Sequence, residues 1–197
     1  MVHPGWRLNG AGKSTFTQSS ETLASLINQA KLEIEVINPD LVTLERLQAE
    51  PSLGLSAANV WAANEAEQRL RELLAHGTAS VAIETVLSTD KYKPIYALAE
   101  SKGYRIIFIY VVLGRMEDAI GRVRIRVSKG GHNVPVDKIR KRWSLSLANL
   151  PWYWEHAHHA FVFFNGGTTP VLIAERGGAR GDVFNATSLQ HLLQLRA

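Results

Sequence analysis

The sequence predicts an α/β domain in which helices cover both faces of a parallel sheet. Three observations carry that expectation. Short β-branched apolar runs recur along the chain, helical stretches of roughly 10 to 20 residues separate them, and no linker, repeat or charge block interrupts the alternation. The 197 residues amount to about one domain, so residues 1–197 are read as a single unit.

Behind Ser14, Phe16, Leu23, Leu26 and Ile27 follow helical spacing to about Ala30. Leu32 to Ile37 alternates apolar and acidic residues before Asn38-Pro39-Asp40 turns the chain, which leaves Asp40 at the carboxyl end of a strand. From Ser56, expected as an N-cap, to His76 a long helix shows Val60, Trp61, Leu70, Leu73 and Leu74, with Gly77 placed to stop it. Ser80 to Leu87 is the next strand. A helix from about Pro94 to Lys102 ends at Gly103, and Tyr104 to Leu113, apolar on both faces, reads as an interior strand. Met116, Ala119, Ile120, Val123 and Val127 mark a helix up to the break around Gly130-Gly131, and a further helix from Val136 is expected to close at Pro151. Phe161–Phe164 and Val171–Ala174 read as short strands, and Thr187 to Arg196 as a terminal helix.

Composition sets limits on function. At 46% apolar and 20% charged the chain is globular in type, which excludes disordered and collagenous classes. No apolar stretch approaches the roughly 20 residues that span a bilayer, and MVHPGWRLNG lacks the apolar core of a secretory signal. A cytoplasmic protein without membrane contact is therefore expected. The absence of cysteine excludes disulfides, thiolate zinc sites and cysteine nucleophiles. A formal charge of +4 suits a phosphorylated ligand or nucleic acid alike, and because no nucleic-acid motif accompanies it, nucleic acid is not the expected partner.

The most informative stretch is Asn9-Gly10-Ala11-Gly12-Lys13-Ser14-Thr15. Its small residues allow backbone N–H groups to converge on a phosphate, Lys13 adds a full charge, and the following helix contributes its positive end. The Ser14 hydroxyl is placed for Mg²⁺, which bridges the outer phosphates of a nucleotide such as ATP in this kind of loop. The motif G-x-x-x-x-G-K-[ST] departs from pattern at one point, since its first glycine is Arg7. Residues 1–8 also hold Pro4 and Gly5 and no apolar run, so the first strand is expected to be missing or degenerate. One reading is a start truncated relative to its ancestor, leaving an impaired nucleotide-binding remnant. The other is a divergent, working loop.

Arg115, Arg122 and Arg126 are spaced for one helical face, and Arg140 and Arg142 follow the glycine break, so residues of about 115–150 could form a lid over a triphosphate or simply a solvated basic face. Asp40 could serve as a base or as an N-cap. Glu84, inside an apolar strand, would be costly to bury without a partner and so is expected to face a polar site or lie at an exposed edge. His156, His158 and His159 are too closely spaced to converge on one ion from a helix. Trp143, Trp152, Tyr153 and Trp154 are expected to pack rather than stack on a base, and Asn165-Gly166-Gly167 to form a turn or an adenine-side loop.

Taken in order, NGAGKST, INPDL, AIETVLS, RVRIRVSKGGHNVPVDKIRKRW, SLANLP, FFNGG and PVLIAE resemble the zeta toxin-like family of P-loop kinases, in its stand-alone branch, over about Asn9 to Ala174. The resemblance implies a nucleotide-kinase-like fold that uses ATP and Mg²⁺. Residues Asn9 to Thr15, with Arg122 and Arg142, would bind ATP, and Ser14 the metal. Lys13, Asp40, Arg126 and Arg140 would be catalytic, with Asp40 taking the acceptor's proton and Arg126 and Arg140 meeting the transition state. Glu84 and Thr85 would bind the acceptor, a small-molecule hydroxyl on a nucleotide-sugar such as UDP-N-acetylglucosamine. An antitoxin protein is the implied macromolecular partner.

Overall fold

A computed structural model describes residues 6–7, 34–77, 80–128, 133–167, 169–177 and 183–184. The helices expected at 14–30 and 187–196 and the loop Asn9–Thr15 lie outside the described residues.

The elements run β1 (Trp6–Arg7), β2 (Ile34–Ile37), α1 (Pro39–Ala49), α2 (Leu55–His76), β3 (Ser80–Ile83), α3 (Lys93–Ser101), β4 (Ile107–Val112), α4 (Met116–Ser128), α5 (Val136–His156), β5 (His159–Phe164), β6 (Val171–Arg176) and β7 (Val183–Phe184). One sheet has the order β1-β4-β5-β6-β7, and β2 and β3 form a second ladder. β4 lies between β1 and β5, parallel to both, and its residues from Phe108 to Val112 are buried, as its unbroken apolar run requires. The first strand is degenerate rather than missing. Trp6 pairs with Tyr110 and Arg7 with Val111, so a strand of two residues stands just ahead of the glycine-rich sequence. Its two residues, next to Pro4 and Gly5, are too few to display a period of two.

The sheet is mixed rather than wholly parallel. β6 runs antiparallel to β5, and β7 to β6. Only residues 165–170 join β5 to β6, and a parallel return needs a crossover of about a dozen residues or more. Between Val162 and Phe163 the register shifts.

Helix boundaries follow local chemistry. Asn38, not Asp40, caps α1: its side chain accepts the Asp40 N–H at 2.9 Å, with Pro39 in the first turn. The cap of α2 is Gly54, and the expected cap Ser56 lies inside the helix. Gly77 ends α2 at φ 74, in the left-handed region where a side chain would be strained. The buried stripe of α2 is Ala58, Ala62, Ala66, Leu70 and Leu74, whereas Val60 and Trp61 face out. Four-residue spacing of small side chains lets the helix approach its neighbours closely, and the larger apolar residues mislead about which face is inside. Thr43, buried on α1, sets its hydroxyl 2.9 Å from the Pro39 carbonyl and 3.1 Å from Asn59 of α2.

One core cluster joins the two ladders, running from Ile37, Val81 and Ile83 through Phe108 to Val112 to Phe161 and Val162, with Leu70 and Leu74 of α2 and Ile139, Trp143 and Leu147 of α5. Each such large side chain contributes about 1.5–3 kcal/mol through burial. Among the described residues no helix is long and apolar enough to cross a membrane.

Pro151 does not close α5, which continues to His156. A proline here removes the N–H that would reach the Leu147 carbonyl, at a cost of about 3 kcal/mol. The aromatic residues just beyond it offset that cost by packing on α3 and β4. Pro151→Ala is expected to raise the melting temperature by about 5 °C, after allowing for the proline's restriction of the unfolded chain. An unchanged or lower midpoint in a thermal melt would mean the surrounding packing requires the kink.

Candidate functional site

The carboxyl ends of β2 and β3 bring chemistry-bearing residues together. The last paired residues are Ile37 and Ile83, and the ladder gains one more bond where the Glu84 N–H donates to the Ile37 carbonyl at 3.0 Å. Asn38 and Glu84 therefore leave the ladder side by side. The Asn38 amide donates from Nδ2 to Glu84 Oε2 at 3.2 Å, while its Oδ1 holds the Asp40 N–H. Glu84 is 7% exposed, which excludes the solvent-edge reading and meets the expectation that its carboxylate has polar company. Asp40 is exposed in the first turn of α1, a position where negative charge stabilises the helix end.

Beyond Glu84 the strand expected through Leu87 breaks. Leu87 is fully buried yet has φ 55, a left-handed conformation that costs a β-carbon-bearing residue roughly 1–2 kcal/mol. Two contacts hold it. Its N–H reaches the Thr85 hydroxyl at 3.4 Å, and its carbonyl accepts from Asn149 Nδ2 on α5 at 3.0 Å. Thr85 is also hydrogen-bonded to the Tyr92 phenol, whose titration burial pushes far up, so that phenol stays protonated. Sequence pattern alone points to no role for Asn38, Tyr92 or Asn149 at this site. Of these, Asn38 carried a legible signal, an asparagine just before a proline at a helix start.

The arginines divide into groups. Arg115 precedes α4 rather than lying on it and pairs with Asp118 at 3.1 Å. Arg122, half-buried on α4, donates to the Asn165 carbonyl at 2.7 Å. Arg126 is half-buried one turn further on. On α5, Arg140 is exposed and Arg142 half-buried, about 200° apart around the helix, so the two face different ways. The contacts thus join Asp40 to Glu84 through Asn38, and Arg122 to the loop after β5. Between α4 and α5 lies a cleft of about 440 Å³ lined by Ile120, Val123, Val127, Val136 and Ile139, with Arg124 and Asn133 at its polar side.

The loop after β5 is tightly made. The Asn165 N–H donates to the Val112 carbonyl at 2.8 Å, and a β-carbon at Gly166 would meet the Phe164 ring. A side chain at 166 would have to displace that ring. The loops after β4 and β5 follow carboxyl ends of parallel strands, the edge where α/β ligands collect.

The histidines go separate ways. His156 stacks on Trp152 at 4.0 Å, His158 Nδ1 accepts the Ile106 N–H, and His159 Nε2 lies 3.1 Å from Arg105. Burial first, and then the Arg105 guanidinium, lowers the basicity of His159. The aromatic residues pack as expected, with Tyr153 at the centre of Tyr96, Phe108 and Trp152.

No protein-family model matches the chain, and no curated protein matches it in sequence. Solved structures do. The AvrRxo1-ORF1:ORF2 complex with ATP aligns over 100% of this chain and 63% of that one, at TM-score 0.71 and 15% identity. A structure from the PezAT chromosomal toxin–antitoxin system of Streptococcus pneumoniae aligns over 98% of this chain and 76% of the other, at TM-score 0.69 and 16% identity. A protein of Chloroflexus aurantiacus, provisionally named a kinase, aligns over 72% of this chain and 78% of its own, at TM-score 0.54 and 16% identity. The chain spans less than two thirds of the AvrRxo1 chain's length. The class so defined is a mixed α/β fold shared with these toxin–antitoxin and kinase structures. At these identities the likeness is one of fold.

Proposed function

We propose that this chain is a zeta toxin-like kinase that transfers the γ-phosphoryl group of ATP to a hydroxyl of a small molecule, a nucleotide-sugar of the UDP-N-acetylglucosamine type. The observation that carries the reading is the junction at the ends of β2 and β3, where a buried Glu84 and the Asp40-bearing end of α1 are bound to one amide. By the resemblance to zeta toxin-like kinases, such a junction would lie beside the phosphate loop.

Phosphoryl transfer needs alignment, charge neutralisation and an oriented hydroxyl. In this reading Asn9, Gly10, Ala11, Gly12, Lys13, Ser14 and Thr15 cradle the phosphates. Lys13 holds the β- and γ-oxygens. Mg²⁺ is commonly held by one or two protein oxygens together with substrate phosphates and water, so the Ser14 hydroxyl beside the bound phosphates would be a fitting protein donor. When bound, the ion neutralises charge on the outer phosphate oxygens. Asp40 accepts the proton of the attacking hydroxyl, whose sugar Glu84 and Thr85 orient. Arg126 and Arg140 approach the transferring group from α4 and α5. Arg122, anchored to Asn165, and Arg142 complete the nucleotide side. A protein antitoxin remains part of the proposal, since PezAT is a toxin–antitoxin system.

The test is release of ADP from ATP and Mg²⁺ with and without UDP-N-acetylglucosamine. Acceptor-dependent ADP is expected, and Lys13→Ala should lower it at least a hundredfold. No ADP above the acceptor-free rate would remove the substrate assignment. A second reading rests on Arg7 at the position of the loop's first glycine. A non-catalytic remnant of such a domain would then show neither acceptor-dependent turnover nor Mg²⁺-dependent ATP binding near millimolar concentration.

A further inference from the structure

We infer that Asn38 is a positioning residue of the acceptor side, whose single amide sets the spacing between the proposed base Asp40 and the proposed acceptor ligand Glu84; the inference rests on the kinase reading above. Register supplies the first part of the argument. Ile37 and Ile83 are paired and the Glu84 N–H still bonds the Ile37 carbonyl, so the backbones of Asn38 and Glu84 diverge from a fixed point. Chemistry supplies the second. Asn38 Oδ1 faces a backbone N–H, which it can only accept, and Nδ2 faces a carboxylate oxygen, to which it can only donate.

The two partners therefore dictate one orientation of the amide. An ionised aspartate could cap the helix but would have no proton for Glu84, and serine could cap without reaching it. Pro39 restricts the next φ, and Thr43 anchors the same turn to α2, so little other freedom remains at the start of α1. Loss of the Asn38–Glu84 contact lets the Glu84 carboxylate shift relative to the Asp40 turn, and a displacement of about 1 Å can cost roughly a hundredfold in rate.

Because Ser, Asp and Asn all serve as N-caps, the series Asn38→Ser and Asn38→Asp separates capping from bridging. Asn38→Ser should melt within about 4 °C of the wild type. It should raise the KM for UDP-N-acetylglucosamine or lower kcat, by about tenfold in kcat/KM, with the KM for ATP unchanged within twofold. Asn38→Asp should be worse than Asn38→Ser on the acceptor side, because it sets a like charge against Glu84. If the three proteins share one acceptor kcat/KM, or if ATP and acceptor parameters fall together with the melting temperature, Asn38 is a structural cap and the inference is overturned. A wild-type protein that releases no UDP-N-acetylglucosamine-dependent ADP overturns the kinase reading itself, which is a different result from an active wild type with an indifferent Asn38.

Discussion

Asp40→Asn is expected to lower kcat for acceptor phosphorylation by about 10² to 10⁴, the range over which a positioned proton acceptor contributes. ATP binding should stay within twofold, because the nucleotide's phosphates are assigned to the loop 9–15 and not to α1. The fold should tolerate the change. Asp40 is exposed, and the cap of α1 is the Asn38 side chain acting on the Asp40 backbone N–H, which the substitution keeps. Were Asp40 only a favourable charge at a helix end, its loss would cost about 0.3–1 kcal/mol of stability and leave kcat alone. Steady-state kinetics beside a thermal melt separates the two roles.

Tyr153→Ala should be the most damaging of these substitutions to the fold and to leave little protein to assay at 37 °C. Tyr153 is fully buried, meets Tyr96 edge-on at 5.1 Å and Trp152 at 4.9 Å, and stacks on Phe108 of β4 at 5.9 Å. It therefore locks the end of α5 to α3 and to β4. Truncating a buried aromatic of this size costs about 3–5 kcal/mol, which in a chain of this length lowers the melting temperature by roughly 10 °C. A fall of only a degree or two would show that α5 beyond Pro151 contributes little to the core.

Much of this was legible because periodicity is a local property. β4 could be read from its continuous apolar run, the ends of α2 and α3 from Gly77 and Gly103, and Asp40 and Glu84 from their places at strand ends. What failed to show depends on partners remote in sequence. β1 exists because β4 offers it an edge, and two residues carry no period. Pro151 stays inside a helix because Tyr153 and Trp152 have somewhere to pack. The antiparallel return of β6 follows from a short connection, a length the apolar pattern does not report. Leu87 takes a left-handed turn that no leucine advertises, held by Asn149 from 62 positions away.

The central claim is that residues 9–15 hold the outer phosphates of a nucleotide. Isothermal titration of ATP into the protein, with and without Mg²⁺ and beside Lys13→Ala, addresses it most directly. The account predicts saturable, Mg²⁺-dependent binding that weakens at least tenfold in Lys13→Ala, in line with the loss of one charge-assisted phosphate contact. Equal heats for wild type and Lys13→Ala, or no saturation at millimolar ATP with Mg²⁺ present, would contradict it.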